Sequence, residues 1–293
     1  MSTATLVSHA GKAAVSRSTA SLSVIVLTFN EEANLPVCLG SLRGLNADVW
    51  VVDSGSTDGT LALAAASGAQ TVTHPFVNYA AQRNWVLSHL PLNTEWVLNL
   101  DADERLTPAL VTEINERLAS DASAVDGYLL RKRTVFMGRW IRHGGHYPSY
   151  HLRLFKRTRG RCEDRQYDQH FVVDGNTATL TNDYIDVVST SLTSWSARHV
   201  RWAEMERDEL MRPAQVTGQV VADVSGNPIQ RRRWWRNTYA RGPLFVRAFA
   251  YWAYRYVFRL GFLDGTEGLV FHFLQGFWFR FLVDSLIYER RRA

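Results

Sequence analysis

Glu95-Trp-Val-Leu-Asn-Leu-Asp-Ala-Asp-Glu-Arg-Leu106 begins with an apolar run that predicts a short buried strand. The strand delivers Asp101 and Asp103 to its C-terminal end, where open α/β sheets place their ligands. Because one residue separates them, the two carboxylates can converge on a hard divalent cation, Mg²⁺ or Mn²⁺. The stretch therefore indicates a metal-bridged diphosphate site, provided that the chain on either side supports it.

Strands and helices alternate on the N-terminal side of this stretch. Apolar, β-branched runs predict strands at 21–28, 48–53, 70–74 and 96–100. Helices are predicted between them, and Asn30 can cap the first one. Short links between alternating elements are typical of a doubly wound sheet. The predicted fold class is therefore α/β, with a Rossmann-like, mostly parallel sheet flanked by helices.

Polar side chains follow three of these strands at their ends: Thr28, Asp53, and Asp101 with Asp103. In a doubly wound sheet such ends meet at one edge and form one cleft. An aspartate after the second strand commonly accepts hydrogen bonds from a nucleotide's ribose or base. The chain has neither G-x-G-x-x-G nor a P-loop, so dinucleotide binding and ATPase chemistry are disfavoured.

Composition divides the 293 residues unevenly. Of the 35 aromatic residues, 18 lie in 224–293, and 224–263 holds eight arginines and no acidic residue, against a net charge of +5. This asymmetry suggests an anionic partner for the C-terminal part. Cys38 and Cys162 make neither a metal-type spacing nor a disulfide framework, and Cys38 is predicted to lie in the core. Residues 1–20 lack the apolar segment of a secretory signal and are predicted to be a disordered tail.

The C-terminal part has a different pattern. A charged helix is predicted at 195–211 and a mobile loop at 213–229, followed by the basic run 231–236. Within 244–260, Arg247, Arg255 and Arg259 share one side of a helical wheel whose remainder is aromatic and aliphatic. Neither this segment nor 268–283 has the roughly 20 clean apolar residues of a spanning helix. Such segments are typical of helices in the interface of an anionic membrane, although a hairpin packed on the N-terminal domain is the alternative. No nucleic-acid module accompanies the arginines, so nucleic acid is not expected as a partner.

Four ordered motifs resemble glycosyltransferase family 2, whose enzymes have the GT-A fold. They are SVIVLTFNEEANLPVCLGSL (23–42), VWVVDSGSTDGT (49–60), AQRN (81–84) and WVLNLDADERL (96–106). The segments RWIRHGGHYPSYHLRLFKR (139–157) and YDQHFVVDG (167–175) further resemble the enzymes of bacterial lipopolysaccharide core and exopolysaccharide synthesis. The resemblance covers residues 21–173 and implies inverting transfer of a sugar from a nucleotide-sugar.

The resemblance also implies roles for the motif residues. Asp103 would be the direct metal ligand, and Asp101 would touch the ribose or the metal. The remaining residues expected at the nucleotide-sugar are Thr28, Asn30 and Glu31 around the base, Asp53 at the uridine or its ribose, and Arg83 and Asn84.

The loop 139–148 supplies the groups that a sugar or diphosphate site uses, because it combines aromatic faces with hydrogen-bond donors. Arg142, His143 and His146 are the candidates there, and Arg142 could meet diphosphate charge. An inverting transfer also needs a general base. The family supplies a carboxylate after the acceptor loop, and here we favour Asp168, with Asp164 as the alternative.

Together these features predict a disordered tail at 1–20, a GT-A catalytic domain at 21–190 and a helical, basic, amphipathic, membrane-associated extension at 191–293. The expected enzyme is an inverting, metal-dependent hexosyltransferase acting on a lipid-linked glycan at the cytoplasmic face of the inner membrane, bound peripherally or interfacially. A polyprenyl-phosphate glycosyltransferase and a non-catalytic membrane scaffold are the alternatives. A nucleotidyltransferase is disfavoured because no glycine-rich basic loop follows the first strand.

Overall fold

A computed structural model of the protein describes residues 21–120, 124–188, 190–212 and 219–293. The predicted tail at 1–20 lies outside these residues. The chain forms two compact units that interleave along the sequence. The first unit comprises the described residues up to Arg131 together with His151–Cys162 and Phe171–Asp186, and the second comprises Lys132–Tyr150, Glu163–His170 and Val187–Ala293. The second unit thus takes up two segments that precede the predicted domain boundary at residue 190.

The described residues form eleven strands: β1 Leu22–Thr28, β2 Ala47–Asp53, β3 Gln70–Thr73, β4 Trp96–Asp101, β5 Glu104–Leu106, β6 Gly127–Phe136, β7 Arg139–Trp140, β8 Ser149–Lys156, β9 Gly160–Cys162, β10 Phe171–Val173 and β11 Thr177–Val188. The main sheet is mixed, with strand order β3-β2-β1-β4-β8-β6-β11-β5 and with β7 paired to β6. Strands β3, β2, β1 and β4 are parallel, whereas β8 runs antiparallel to β4, and β5 runs antiparallel to β11. Strands β9 and β10 form a separate antiparallel pair. The predicted α/β class is confirmed, and its parallel part is the region where strands alternate with helices.

Nine α-helices occur in the described residues: α1 Leu35–Ser41, α2 Thr60–Ala66, α3 Tyr79–His89, α4 Pro108–Ala119, α5 Leu192–Met211, α6 Pro228–Ala240, α7 Val246–Ala253, α8 Gly265–Phe271 and α9 Phe279–Arg292. A π-helical turn, Tyr254–Phe258, extends α7, and another, His272–Trp278, joins α8 to α9. A 3₁₀ turn, Gly261–Asp264, lies between them. No helix within the described ranges is long and apolar enough to cross a membrane.

The core of the first unit forms between the parallel strands and their helices. Val24, Val26 and Val51 are completely buried, since both faces of a central parallel strand are covered. Cys38 of α1 belongs to the same cluster, which confirms its prediction as a core residue. Burial on both faces of the sheet therefore explains the continuous apolar runs of β1, β2 and β4, as predicted from the sequence.

The second unit has its own core between α5 and α9. Phe279, Val283 and Ile287 of α9 pack with Ala203 of α5. Their four-residue spacing places them along one side of the helix, as the 3.6-residue period requires.

Two of the three arginines that share one side of the helical wheel in 244–260 lie inside the protein. Arg247 and the following π-helical Arg255 are both buried inside the second unit. Arg247 pairs with the buried carboxylate of Asp284 on α9, with its Nη2 2.5 Å from Oδ1. A buried charge requires such a partner, and a helical wheel cannot supply one from another helix.

Candidate active site

The carboxyl ends of β1, β2 and β4 meet at one edge of the sheet. In the parallel register Thr28 lies opposite Asp53, and Leu27 lies opposite Asp101. This confirms the expected gathering of strand-end polar groups, because all three strands end within one residue of the same level. The strand ends and the loops that follow them form the candidate donor side within the first unit.

Asp53 shapes the turn that follows β2. The residue is completely buried, and one carboxylate oxygen accepts hydrogen bonds from the backbone N–H groups of Gly55 and Ser56, at 2.9 and 2.8 Å. The other accepts from Thr28 Oγ1 at 3.1 Å and from Ser56 Oγ at 2.5 Å. Gly55 has φ +98°, a conformation that glycine adopts without a steric penalty. Asp53, expected at the uridine, thus has both oxygens engaged in positioning the loop.

Asn30 connects the loops after β1 and β2. Its Oδ1 accepts from the backbone N–H of Thr57 at 2.8 Å, and its own N–H donates to Ser56 Oγ at 2.8 Å. The prediction that Asn30 caps α1 is wrong, since Asn34 occupies the cap position and makes no side-chain cap bond. Instead, the Nδ2 of Asn34 donates to Glu31 Oε2 at 2.7 Å. Asn30 and Glu31 are therefore held in a cross-linked pair of loops.

The carboxylate of Asp101 forms ion pairs with two arginines. Arg83 Nη2 lies 3.1 and 3.2 Å from its two carboxylate oxygens, and Arg153 Nη2 lies 3.1 Å from Oδ2. Burial by itself would raise the pKa of Asp101, but the two guanidinium groups hold it at about 2. Arg153 also forms an ion pair with Glu104. The sequence reading missed Arg153 and Glu104, although a buried arginine in the alternating strand 149–156 was a signal that a carboxylate partner was needed.

Asp103 lies in the opposite electrostatic environment. Burial, followed by the negative charges of Asp186 and Asp101, raises its pKa well above the usual range. A carboxylate in such surroundings favours a bound proton or cation. Asp186, which lies opposite Glu104 in the β5–β11 register, was not expected from the sequence. The opposite pKa shifts distinguish Asp101 from Asp103, which the D-x-D spacing alone could not do.

The residues present fit a divalent cation that relies on few protein ligands. Within the described ranges no three His, Cys, Asp or Glu side chains form a group that could hold an ion. Mg²⁺ is typically bound by one or two carboxylates, with waters and substrate phosphates completing its octahedron. Since Asp101 already accepts from two guanidinium groups, Asp103 would be the protein ligand of such an ion.

Arg83 and Asn84 of α3 differ in what they contact. Besides its pair with Asp101, Arg83 lies over the ring of Phe171 at 5.3 Å. Asn84 accepts from the backbone N–H of Cys162 at 2.8 Å and donates to the Cys162 carbonyl at 2.9 Å. Its amide group therefore holds strand β9 in place, while Arg83 fixes the charge of Asp101.

The predicted acceptor residues lie in the second unit. His143 Nδ1 is 2.6 Å from Asp264 Oδ1, and its backbone N–H donates to Oδ2 at 2.8 Å. His146 Nε2 lies 2.9 Å from Thr134 Oγ1, and burial lowers the pKa of His146 well below its usual value. Arg142 is exposed, with its guanidinium 5.4 Å from the Trp140 ring centroid. Asp264 was missed because no local pattern links it to a histidine 121 residues earlier.

The two candidate bases are also in the second unit, in different environments. Asp168 has φ +53° and pairs with Arg236 and Arg232 of α6 at 3.0 and 3.3 Å. Although burial would raise its pKa, these arginines hold the pKa of Asp168 far below the usual range. Asp164 is exposed and has no ion pair within the described residues. Two arginines of the basic run 231–236, Arg232 and Arg236, thus pair with the carboxylate of Asp168.

Known proteins resemble this chain in sequence. The family model described as glycosyl transferase family 2 matches residues 23–184. The lipopolysaccharide core biosynthesis glycosyltransferase LpsC of Rhizobium meliloti is 34% identical over 161 residues, which is 53% of this chain and 58% of that protein. The uncharacterized glycosyltransferase RC0292 of Rickettsia conorii is 39% identical over 102 residues, covering 35% and 36% of the two chains. The match thus spans little more than half the length of LpsC and about a third of the Rickettsia protein.

Solved structures resemble the chain at lower similarity. S. aureus TarS in complex with UDP has a TM-score of 0.46 and 14% identity, covering 93% of this chain and 91% of the other. Glucosyl-3-phosphoglycerate synthase from Mycobacterium tuberculosis, solved with Mn²⁺, UDP and its glucosylated product, has a TM-score of 0.32 and 25% identity, with 40% and 44% coverage.

Proposed function

The chain belongs to glycosyl transferase family 2, and on that premise we propose that this glycosyltransferase moves a hexose from a nucleotide-sugar, most simply a UDP-sugar, to a lipid-linked glycan. The observation that carries the proposal is the pair of carboxylates at the carboxyl edge of the sheet, where Arg83 and Arg153 contact Asp101, and where burial and nearby carboxylates raise the pKa of Asp103. The name of LpsC supports lipopolysaccharide synthesis as the setting, with exopolysaccharide synthesis as its close alternative.

Asp103 is the residue that we assign to a divalent cation, Mg²⁺ or Mn²⁺. When bound, such an ion offsets the charge of a departing nucleoside diphosphate. Arg83 and Arg153 keep Asp101 ionised, so that Asp101 can accept hydrogen bonds from the donor's ribose without needing a proton of its own. Asn30 and Asp53 act on the donor through the two loops that they hold together.

Transfer with inversion requires a carboxylate that takes the proton from the acceptor hydroxyl. The hydroxyl oxygen then bonds to the anomeric carbon, and the bond from that carbon to the diphosphate oxygen breaks. Asp168 is a weak base while Arg232 and Arg236 hold its charge. We therefore assign the role of general base to Asp164, which was the second choice from the sequence. Asp168 instead positions the segment 163–170.

Donor binding is tested by a thermal-shift screen of nucleotide-sugars with and without Mn²⁺ or Mg²⁺. We expect a UDP-sugar to raise the melting temperature, and the metal-dependent part to vanish in Asp103→Asn. Asp174→Asn, an exposed carboxylate of the same unit, is the matched control and should respond like the wild type. A wild-type protein that responds to no nucleoside diphosphate would contradict the transferase proposal.

The base assignment is tested by kinetics of Asp164→Asn and Asp168→Asn. We expect Asp164→Asn to lower kcat by about 10²–10⁴-fold, the usual contribution of a positioned base, with nucleotide binding unchanged. Asp168→Asn should instead reduce stability. If Asp164→Asn turns over normally while Asp168→Asn binds nucleotide and is inactive, the roles are reversed.

We place the enzyme at the cytoplasmic leaflet of the inner membrane, where a lipid-linked acceptor is reached. The exposed arginines of the C-terminal part, among them Arg241, Arg259 and 290–292, support attraction to anionic lipid. Cell fractionation tests this location: full-length protein recovered in the soluble fraction at low salt without detergent would count against it.

A further inference from the structure

The C-terminal helices carry two apolar faces, of which the protein core uses one. On α9, Phe279, Val283 and Ile287 face the core. A second apolar row runs through the preceding π turn and α9 at four-residue intervals, through Phe273, Phe277 and Phe281. A helix that is apolar on more than one side is usually buried in a large protein or in lipid. The second row therefore requires an explanation outside the core.

This second row belongs to one connected surface of aromatic rings. Phe277 lies 5.6 Å from Phe273, 5.5 Å from Phe281 and 6.3 Å from Trp252 of α7, measured between ring centroids. Contacts of 5.1 to 6.3 Å extend the surface in both directions. We call it the outer aromatic face, and its rings are Phe245, Phe249, Trp252, Tyr256, Phe262, Phe273, Phe277, Phe281 and Tyr288.

The outer aromatic face is open to solvent. Phe249 is 58% exposed, and four further rings, those of Phe262, Phe273, Phe281 and Tyr288, are 41–46% exposed. At roughly 200 Å² per ring, these five leave on the order of 500 Å² of connected aromatic surface accessible. That is already the scale of the largest apolar patch on an ordinary monomer, which is often functional. Next to it along the chain, Phe258 is 75% exposed.

Most charged side chains of the middle of these helices are turned inward. Asp264 and Asp284 are buried within the second unit, as are Arg247 and Arg255. Of the other two acidic residues in 228–293, Glu267 is half-buried and Glu289 is exposed at the end of α9. Exposed arginines remain at the ends of the helical segments, at Arg241 before α7, Arg259 after its π turn, and 290–292 at the end of α9. An apolar middle with cationic ends complements a phospholipid leaflet, whose acyl chains lie beneath anionic phosphates.

We propose that the outer aromatic face inserts into the hydrocarbon boundary of one phospholipid leaflet, with the arginines at the helix ends contacting lipid phosphates. Binding is then driven mainly by apolar burial, and the anionic charge of the lipid contributes less. This differs from adsorption through a basic helix face, because the arginines of α7 are internal. The inference rests on the proposed function for its purpose, bringing the enzyme to a lipid-linked acceptor, but the binding itself needs neither nucleotide nor acceptor.

The test is vesicle co-sedimentation of the full-length protein. Neutral phosphatidylcholine vesicles are compared with vesicles that also contain phosphatidylglycerol, each at low salt and at about 0.5 M NaCl, where screening is strong. We expect binding to neutral vesicles that survives high salt, and a severalfold gain with phosphatidylglycerol that high salt removes. Complete release of the wild type by salt, or no binding to neutral vesicles, would overturn insertion.

Two sets of variants separate the apolar and the charged parts. Phe249→Ser with Phe258→Ser should lower partitioning to both vesicle types at least tenfold, whereas Phe76→Ser, a phenylalanine 47% exposed in the first unit, should leave it unchanged. Arg290→Gln with Arg291→Gln should reduce binding only to the anionic vesicles. Wild-type binding by the double phenylalanine variant would contradict the proposal, and Phe249→Ser alone serves if the double variant fails to fold.

Measurements without lipid distinguish the remaining outcomes. The nucleotide-dependent thermal shift should persist in the phenylalanine variants, which shows that the fold and the donor site are intact. If the wild type shows no nucleotide-dependent thermal shift, the proposed function is overturned. Insertion is then still decided by the vesicle-binding results alone. A wild-type dimer that the phenylalanine substitutions convert to monomer would assign the face to a second copy of the chain and overturn insertion.

Discussion

Asp101 and Asp103 are separated by one alanine, yet their surroundings give them opposite properties. Two guanidinium groups lower the pKa of Asp101 to about 2 against the effect of burial. Burial and neighbouring carboxylates raise the pKa of Asp103. The sequence brings both carboxylates to the end of β4, where the arginines of α3 and β8 pair with Asp101.

Arg153 is the residue whose removal should test this arrangement. Arg153→Met leaves Glu104 buried without its ion-pair partner. The substitution also removes one of the two arginines that pair with Asp101. Breaking a buried pair by removing one partner typically costs about 3–5 kcal/mol in the free energy of unfolding. Urea denaturation should show this loss, while Arg159→Met, an exposed arginine of the same unit, should change little. Equal stabilities of the two variants would contradict the role assigned to Arg153.

At the scale of elements, helix α6 and the segment 163–170 form a buried charge network. Arg233 pairs with Glu163 at 2.5 Å, and Arg236 pairs with both Asp168 and Glu206 of α5. Three of the four arginines of the basic run 231–236 thus pair with carboxylates of the second unit: Arg232, Arg233 and Arg236. The carboxylates that pair with them lie far away in sequence, so periodicity within the run could not reveal them.

A double-mutant cycle on Glu163 and Arg233 should measure this coupling. Arg233→Met alone leaves a buried carboxylate and should cost about 3–5 kcal/mol of unfolding free energy, whereas adding Glu163→Gln should recover part of the loss. Chemical denaturation of the two single variants and the double variant gives the coupling energy. Additive effects would show that the two side chains stabilise the unit independently, against the ion pair seen here.

In the C-terminal helices, the side of 244–260 that carries Arg247 and Arg255 turns into the second unit. Apolar periodicity in 244–260 and 268–283 was identified, but the sequence could not say which side packs on the protein. The side of α9 with Phe279 and Val283 packs in the core, and Asp284 forms an ion pair with Arg247. The aromatic side of α7 is therefore left outward.

At the scale of the whole molecule, the second unit contains buried histidines held neutral. Burial lowers the pKa of His199 and of His272 to about 4, and that of His170 to about 3. The unfolded chain binds protons near the ordinary value of 6.5. Between these values the unfolded state binds more protons than the folded state, so stability is full above about pH 6.5 and declines as the pH falls toward 4.

His199 provides the test of this pH dependence. Its Nδ1 lies 2.8 Å from the Trp195 carbonyl, and its Nε2 lies 2.9 Å from Gln275 Nε2. From pH 7.5 to pH 5 the residue should contribute about 2 kcal/mol to the loss of stability, by the usual linkage of proton binding to folding. Urea midpoints of His199→Gln should fall less over this range than those of the wild type. His89→Gln, at an exposed histidine, should follow the wild type, and parallel curves for all three proteins would refute the assignment.

The sequence by itself determined the α/β class, the strands of the N-terminal half to within a residue or two, the polar edge with Thr28, Asp53 and Asp101, and the family. These follow from patterns that are local: apolar runs, strand-end carboxylates and ordered motifs. Only the tertiary structure decided which carboxylate is neutralised, which arginines are internal and which helix side remains exposed. Each of these depends on a partner distant in sequence, such as Arg153 for Asp101 or Asp284 for Arg247. Burial and charge pairing are properties of the folded neighbourhood, and for that reason the D-x-D was found in the sequence while the difference between its two aspartates was not.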